Sequence, residues 1–428
     1  MRSRVLRRRA ATAFGIYGSA LLGFTATIVV ARELSKGDFA RYAIVFGATS
    51  LLQLFVDLTV DEVVVKYGNR YAAREDWGRF RQLFRVGFAV KLAGGAVGTL
   101  AVVVTAFCSQ WIWTTGGIRG ALLVASLIPL IQQPEGMAGA VLLVRNRYDV
   151  RGLFLLWSMV LRFAAIVIGA SYGLVELFVA IVVAQVVSSV SVGAVALAVF
   201  RRYPHAPREP LGDDRRAIRA FAVQSTIASA LTSLRSLLPT VLVGVVARTN
   251  EVAYFRVAQA PQTAFQSLSA PARLVLLAEQ TRDVEHGRAD RAVRLLRRYV
   301  ALTVAIGVVS VPPLWIWMPS LIRLAYKARY VPATDAMRLI LLAAAVQLVL
   351  GWTRTYPVSI GRPGLRTLGQ AVEIAVLIPA LLVLAAAYGA TGAAGGVLAG
   401  SVALGVFWVG GLVWLRRQPV VAHGSVSA

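Results

Sequence analysis

The sequence predicts an all-α polytopic membrane protein of about twelve transmembrane helices. Composition is the first reason: 57% of the 428 residues are hydrophobic and 15% are charged, and the mean hydropathy is +0.68. Apolar runs of roughly 20 residues, the length that crosses a bilayer as a helix, recur along the whole chain. The short alternating segments typical of a membrane β-barrel are absent from the sequence.

The first apolar run, 10–31, follows an arginine-rich start. It is longer than a signal-peptide core of roughly 7–15 residues, so we expect a retained first helix. The predicted spans, in order, are 11–31, 39–65, 84–107, 119–144, 152–171, 174–200, 218–247, 251–276, 299–318, 333–356, 366–388 and 391–415.

Charge predicts the orientation of these spans. The net charge is +25, and the arginines and lysines concentrate in every second loop, which is the pattern that keeps positive loops in the cytoplasm. We therefore expect a multi-pass protein of the plasma (inner) membrane with both termini cytoplasmic. This distribution favours contact with anionic lipid headgroups over nucleic-acid binding.

A polar segment after the sixth predicted span divides the chain. It contains Pro204, Pro207 and Pro210, and such composition indicates a linker. The motif that begins at Ala31-Arg32 also recurs at Ala247-Arg248, six spans later. We predict an N-terminal six-helix bundle (1–200), a cytoplasmic linker (201–217) and a C-terminal six-helix bundle with a short cytoplasmic tail (218–428). The two bundles would be parallel repeats around a central cavity.

The sequence lacks the residues that several kinds of catalysis and cofactor binding require. The sequence has no glycine-rich loop ending in Lys-Ser/Thr for nucleotide phosphates. Its three histidines (His205, His286 and His423) fall in predicted cytoplasmic segments, and Cys108 is the only cysteine. The first outside loop, 32–38, is too short to carry the acidic residues of a membrane glycosyltransferase. We therefore expect a protein that is not an enzyme and has no cofactor or metal.

Ionisable residues within the spans are the candidate site, because charges are costly in hydrocarbon. Arginine binds phosphate oxygens bidentately, so a cavity with arginines suits a phosphate. The candidate substrate-binding cations are Arg235, Arg256, Arg41, Arg162 and Lys91. The candidates for ion coupling or pairing are Glu135, Glu373 and Asp57. The alternative is that each arginine pairs with a carboxylate or reaches the headgroups.

For Asp57, an interpretation other than a place in the cavity is favoured. Asp57 lies near the end of the second predicted span, together with Asp61, Glu62 and Lys66. Charged residues at a helix end are commonly solvated or paired with one another. A cluster of that kind is therefore favoured there over a place in a cavity.

The start of the chain resembles the polysaccharide biosynthesis flippase family, which includes O-antigen and lipopolysaccharide flippases. The residues that carry the resemblance are 29–42, with Gly37, Asp38 and Phe39, then Asp57, and the basic loop 74–81. The family belongs to the multidrug, oligosaccharidyl-lipid and polysaccharide exporter superfamily. The resemblance implies alternating-access transfer of polyprenyl-diphosphate-linked oligosaccharide to the outer leaflet. It also implies contact with membrane lipids and with other polysaccharide-assembly proteins.

Two other classes remain open. A multidrug or ion antiporter of the same superfamily would be expected to have an acidic cavity and often has an acidic residue in the first helix. The first acidic residue of this sequence is Glu33. A polytopic scaffold or polymerase would predict a large outside loop, and the spacing of the spans supplies none.

Overall fold

The computed structural model describes residues 2–56, 59–113, 115–212, 214–285, 288–360 and 362–417. These residues are helical nearly throughout, with no strand among them, which confirms the all-α prediction. The α-helices are α1 (Arg2–Glu33), α2 (Lys36–Val56), α3 (Val60–Ala73), α4 (Trp77–Ile112), α5 (Arg119–Ala125), α6 (Leu127–Val144), α7 (Tyr148–Gly169), α8 (Leu174–Phe200), α9 (Asp214–Val246), α10 (Thr249–Ala258), α11 (Ala260–Glu285), α12 (Ala289–Tyr326), α13 (Thr334–Val349), α14 (Tyr356–Ser359) and α15 (Pro363–Arg417). Short 3-10 segments flank α13 at Ala328–Ala333 and Leu350–Arg354.

The outer surface of these helices suits lipid. Among the described residues, 8 helices are long and apolar enough to cross a membrane, or up to 9 if α9, bent by 47°, counts as one span. Large apolar side chains are exposed on them, such as Ile168 at 61%, Val309 at 74% and Leu324 at 76%. Water would disfavour so much exposed apolar surface. The chain is a multi-pass membrane protein, while the count of twelve spans and the side of the termini stay predictions.

The structure divides into two compact units, Met1–Ala253 and Tyr254–Ala428. Helix α9 belongs to the first unit, where it packs on α2 and α3. The division into bundles at 200 and 218, with a cavity between them, stays a prediction.

In the first unit, α1 lies along α7 at very close range. Gly15 and Gly152 face each other, and a Cβ on Gly15 would overlap the Gly152 carbonyl. Small residues allow this approach in membrane helices, because lipid offers no hydrophobic driving force and packing must supply the attraction. The same unit contains α4 on α6 and α8 on both α6 and α7.

The predicted span 39–65 is interrupted, because α2 ends at Val56 and α3 begins at Val60. The neighbouring helix α9 supports the chain after this interruption. The Thr59 amide donates to the Thr226 hydroxyl at 3.1 Å, and the two threonine hydroxyls lie 3.2 Å apart. A hydroxyl from an adjacent helix can satisfy the backbone groups that an interrupted helix leaves unpaired.

The polar segment after α8 is docked on the first unit. Tyr203 is 4% exposed and packs its ring 4.7 Å from that of Phe80. The Arg81 Nε donates to the Pro204 carbonyl at 3.2 Å. This aromatic cluster holds the beginning of the predicted linker against the start of α4.

The next part of that segment is held by a tyrosine. The Tyr71 hydroxyl donates to the Asp214 carboxylate at 2.9 Å, and Arg70 lies 3.5 Å from the same carboxylate. Burial, together with the neighbouring carboxylate, raises the pKa of Tyr71 to about 12. The beginning of α9 is thereby fixed to α3.

In the second unit, α15 reverses direction at Gly389, whose φ of 58° and ψ of −134° are not helical. The two parts, 363–388 and 390–417, pack against each other through small residues. A Cβ on Gly396 would lie 2.6 Å from Leu381 Cα, and one on Gly400 would lie 2.8 Å from Leu377 Cβ. This spacing of four residues forms the close seam typical of membrane helix pairs.

Candidate functional site

The first unit encloses a cavity of about 320 Å³ between its helices. Residues of α1, α2, α3, α4, α6, α7 and α8 line it. Its polar and charged lining residues are Ser19, Gln53, Asp61, Lys91, Gln132, Gln133, Glu135, Arg151, Ser158 and Arg162. A polar cavity inside an apolar helix bundle is the usual place for a transported group, since ionisable residues avoid the lipid face.

The cavity is lined by more positive than negative side chains. Lys91, Arg151 and Arg162 contribute three positive charges, and Asp61 and Glu135 contribute two negative charges. The lining of the cavity therefore has a formal excess of one positive charge. That sign favours an anion, and the surrounding apolar helices strengthen the attraction because they lower the local dielectric constant.

Lys91 is the most buried of these cations. Its side chain is 4% exposed, and its Nζ lies 2.9 Å from the Asp61 carboxylate, which is 35% exposed. A buried ammonium needs such a partner because desolvation is otherwise costly. The position that a Cβ on Gly136 would occupy is 3.5 Å from the Lys91 Nζ. The glycine thus leaves room beside the ammonium on the α6 wall.

The next turn of α6 repeats this arrangement at Gly139. A Cβ there would lie 3.5 Å from the Arg151 Nε. Arg151 stands in the first turn of α7 and reaches into the cavity from that end. Two glycines three residues apart therefore open the same wall toward two cations.

Glu135 faces the cavity from α6 and accepts a hydrogen bond from the Ser188 hydroxyl of α8. The neighbouring Ser189 hydroxyl donates to the Ile131 carbonyl at 2.7 Å. These two bonds tie α8 to α6 and fix the orientation of the carboxylate. Glu135 is thus a structured member of the cavity wall.

Arg162 joins this cavity to a second one. Its guanidinium lies 5.5 Å from the centre of the Phe46 ring, a cation–π distance. The second cavity, of about 220 Å³, shares Arg162, Gln53 and Gln132 with the first. The Gln53 Nε2 donates to the Gln132 Oε1 at 3.2 Å at the junction.

Three of the predicted site residues, Lys91, Arg162 and Glu135, thus lie together, although they are far apart in sequence. Arg41 lies elsewhere: it is 2.8 Å from Asp38, and its Nε donates to the Gly116 carbonyl at 2.9 Å. Within the described lining of the two cavities, Arg41 does not occur.

The other candidates are dispersed. Arg235 is half-buried on α9 in the first unit, outside the described lining of either cavity. In the second unit, Arg256 donates to Gln259 at 2.9 Å, and Glu373 is 1% exposed in α15. Asp57 lies outside the described residues. A substrate-binding role for these residues stays a prediction.

The structure adds residues that sequence reasoning missed or judged otherwise. Arg151 lies just before the predicted span 152–171 and was not a candidate, and Asp61 was favoured as a member of a helix-end cluster, yet both line the cavity. Gln53 and Gln132 carry no charge and so were not selected. An amide within an apolar span was the signal that could have found them, because polar groups in membrane helices usually find polar partners.

Over the described ranges, no group of three or more His, Cys, Asp or Glu side chains could hold a metal ion. The arrangement instead offers fixed cations and amides, which bind oxyanions and hydroxyls by charge and hydrogen bonds.

Residues 5–277 match the family described as polysaccharide biosynthesis protein. The chain therefore belongs to that family, as its first helices suggested. No curated protein matches the sequence significantly.

Solved structures show the fold. One similar structure is an inward-facing multidrug resistance MATE family transporter of the MOP superfamily (TM-score 0.77, 13% identity, 95% of this chain and 96% of that chain). Another is the lipid II flippase MurJ in an inward closed conformation (TM-score 0.71, 13% identity, 97% and 89%). A third is a MOP superfamily transporter from Pyrococcus furiosus, described as having a binding pocket of reverse polarity that suggests a different function (TM-score 0.61, 14% identity, 98% and 96%). The chain has the fold of these transporters and flippases.

Proposed function

We propose that this protein is a flippase that moves polyprenyl-diphosphate-linked oligosaccharides across the plasma membrane for cell-surface polysaccharide biosynthesis. The observation that carries the proposal is the cavity with Lys91, Arg151 and Arg162 inside the apolar first unit. Membership of the polysaccharide biosynthesis family supports the substrate class. The similar fold of a lipid II flippase supports the type of movement.

The cavity suits a diphosphate for chemical reasons. Arg151 and Arg162 offer planar guanidinium groups, which stay charged and bind two oxygens at once. Lys91 offers a compact charge and is paired with Asp61. A bound diphosphate would share Lys91 with Asp61 and reverse the excess of positive charge. The cost of burying the phosphate is partly offset because the Lys91 ammonium is already buried.

The transport cycle that fits this chemistry is alternating access between two bundles, with the lipid tail remaining in the bilayer. Arg41, Arg235 and Arg256 would serve as further cations along the route of the headgroup. The membrane potential, inside negative, favours outward movement of an anion by about 2.3 kcal/mol per charge per 100 mV. Roughly two phosphate charges could use this energy without ATP.

A second candidate is a multidrug or ion antiporter. The observation that favours it is the pair of carboxylates in the cavity, Asp61 and Glu135, in a chain whose fold resembles a multidrug transporter. A cationic drug would have to compete with Lys91 for Asp61. The excess of cations in the cavity makes this function less favourable than anion transport.

Reconstitution in liposomes tests the proposed function. A fluorescent polyprenyl-diphosphate oligosaccharide is placed in both leaflets, and its transfer is followed by quenching from one side. We compare the intact protein with Arg162→Gln and Arg151→Gln. The matched control is Arg119→Gln, because Arg119 is exposed and packs over the Phe107 ring outside the cavity.

We expect transfer by the intact protein and by Arg119→Gln. Each cavity variant should be slower by at least about tenfold, the effect of losing one charge-assisted hydrogen bond. Wild-type rates in both cavity variants would remove the cationic cavity from the mechanism. If the intact protein moves a cationic dye against a proton or sodium gradient but moves no such lipid, the antiporter is the correct function.

A further inference from the structure

The second cavity differs in chemistry from the first. It is lined by two aromatic residues (Phe46 and Phe178), two residues with hydroxyl groups (Thr49 and Ser50), the Gln53–Gln132 amide pair, Ile128 and Arg162. The single cation in this lining, Arg162, provides too little positive charge to bind a second phosphate. The hydroxyls and amides are too many for a lipid tail, since unpaired polar groups disfavour a purely apolar ligand.

Thr49 points to a polar ligand. It is 3% exposed, and in the described part of the chain its Oγ1 has no hydrogen-bond partner. A helical threonine commonly bonds the carbonyl three or four residues before it, so this hydroxyl is unusual. Leaving a buried hydroxyl unsatisfied costs about 1–3 kcal/mol. A ligand hydroxyl that reached Thr49 from the second cavity, after a small movement of the side chain, would remove that cost.

The amide pair supplies further hydrogen-bonding groups. The Gln53 and Gln132 side chains are joined by one hydrogen bond of 3.2 Å. That bond uses one donor of Gln53 and one acceptor of Gln132, so an acceptor of Gln53 and donors of Gln132 are left for another partner. Alternating donors and acceptors are what the hydroxyls of a sugar ring require.

The aromatic wall is held in place from behind. The Tyr42 ring packs 5.9 Å from Phe46 and 5.7 Å from Phe178. Fixed aromatic rings offer an apolar surface to the CH face of a sugar, while its hydroxyls turn toward polar groups. The combination of Phe46, Phe178, Thr49 and the amide pair therefore matches an amphipathic ring.

We propose that the second cavity binds the sugar residue attached directly to the diphosphate. The inference rests on the proposed function, because Arg162 joins the two cavities and would contact the phosphate. The volume of about 220 Å³ is of the order of one sugar ring. We therefore assign the first sugar to this cavity and place the rest of the glycan outside it.

Binding of two soluble probes tests the proposal. One probe is a short isoprenoid diphosphate, and the other is the same molecule with a single hexose on the diphosphate. Affinities for the full-length protein in detergent are measured by tryptophan fluorescence. The variant is Thr49→Val/Ser50→Ala, which removes the hydroxyls of two residues that line the second cavity and not the first. The control is Thr105→Val, whose hydroxyl bonds Ala101 within α4.

We expect the double variant to bind the glycosylated probe roughly five- to tenfold more weakly and the sugar-free probe as before. Thr49→Ser/Ser50→Ala, which keeps a hydroxyl at position 49, should bind the glycosylated probe more tightly than the double variant, and Thr105→Val should not change the affinity for either probe. Equal changes for both probes, or none, would overturn the sugar subsite and leave the proposed function standing. If the intact protein binds neither probe, both proposals fail.

Discussion

At the scale of single residues, the Lys91–Asp61 pair has the largest structural consequence. Lys91 is almost fully buried, whereas Asp61 keeps contact with the cavity. Removing one member of a buried ion pair leaves an uncompensated charge, and the penalty is larger than the net stability that the pair provides. The pair is therefore required for the cavity even before a substrate enters.

We predict that Lys91→Met lowers the free energy of unfolding by about 1–3 kcal/mol. The loss should be smaller than for a fully buried pair, because Asp61 is 35% exposed. The measurement is thermal unfolding of the purified protein in detergent. Lys91→Met/Asp61→Asn should recover most of the loss, since no isolated charge remains. A double variant as unstable as the single one would contradict the pairing.

A second prediction at this scale concerns Tyr71. Its pKa lies at about 12, above the ordinary 10.0. The neutral phenol is thus favoured in the folded state, so its contribution is complete below pH 10 and is lost as the pH rises through 12. Tyr71→Phe should lower the unfolding free energy at neutral pH by about 1.5–3 kcal/mol, because it removes a hydrogen bond to a carboxylate.

The pH dependence provides the check for Tyr71. Stability of the intact protein should fall between pH 10 and 12 more steeply than that of Tyr71→Phe, as measured by chemical denaturation across this range. Parallel curves for the two proteins would show that the hydroxyl does not hold Asp214 in the folded state.

At the scale of helices, much of the fold follows from hydropathy. The sequence predicted separate spans at 366–388 and 391–415, and the chain reverses between them at Gly389. The interruption after Val56 was not predicted. It is stabilised by Thr226 of α9, and hydropathy carries no information about a partner so distant in sequence.

The same limit applies to the site. Charge within a span identified Lys91, Arg162 and Glu135, because ionisable groups are costly in lipid. Arg41 met the same criterion, yet Asp38, three residues away, pairs with it. The packing of α3, α4, α6 and α7 determines which charged residues share a cavity. That packing could not be predicted from the sequence. The uncharged Gln53 and Gln132 escaped a search based on charge alone.

The contact of α1 with α7 gives a prediction at this scale. Gly15→Ala places a methyl group against the Gly152 carbonyl, so the helices must separate. We expect a loss of about 1–3 kcal/mol in unfolding free energy, the usual cost of overpacking. The control is Gly193→Ala on α8, where nothing lies within 4 Å of the added methyl group. Equal melting of the two variants would contradict the close helix contact.

At the scale of the molecule, the first unit by itself contains two cavities that share lining residues and have complementary chemistry. The cationic cavity suits a diphosphate, and the smaller aromatic and amide cavity suits a sugar ring. Gln53, Gln132 and Arg162 belong to both. A headgroup with its phosphate and sugar adjacent would fill both at once, which explains how one site could select lipid-linked saccharides over other anionic lipids.

The most direct test of this account is protection of a cysteine in the first cavity. Cys108 is the only cysteine, so a Cys108→Ser/Ser158→Cys protein carries a single thiol, placed in the cavity wall. Its labelling by a water-soluble maleimide is timed with and without the short isoprenoid diphosphate at ten times its dissociation constant. We predict labelling slower by about tenfold, and protection reduced to about twofold or less at the same ligand concentration once Arg162→Gln is added. Labelling at an unchanged rate while the ligand is bound would place the diphosphate elsewhere and contradict the central claim.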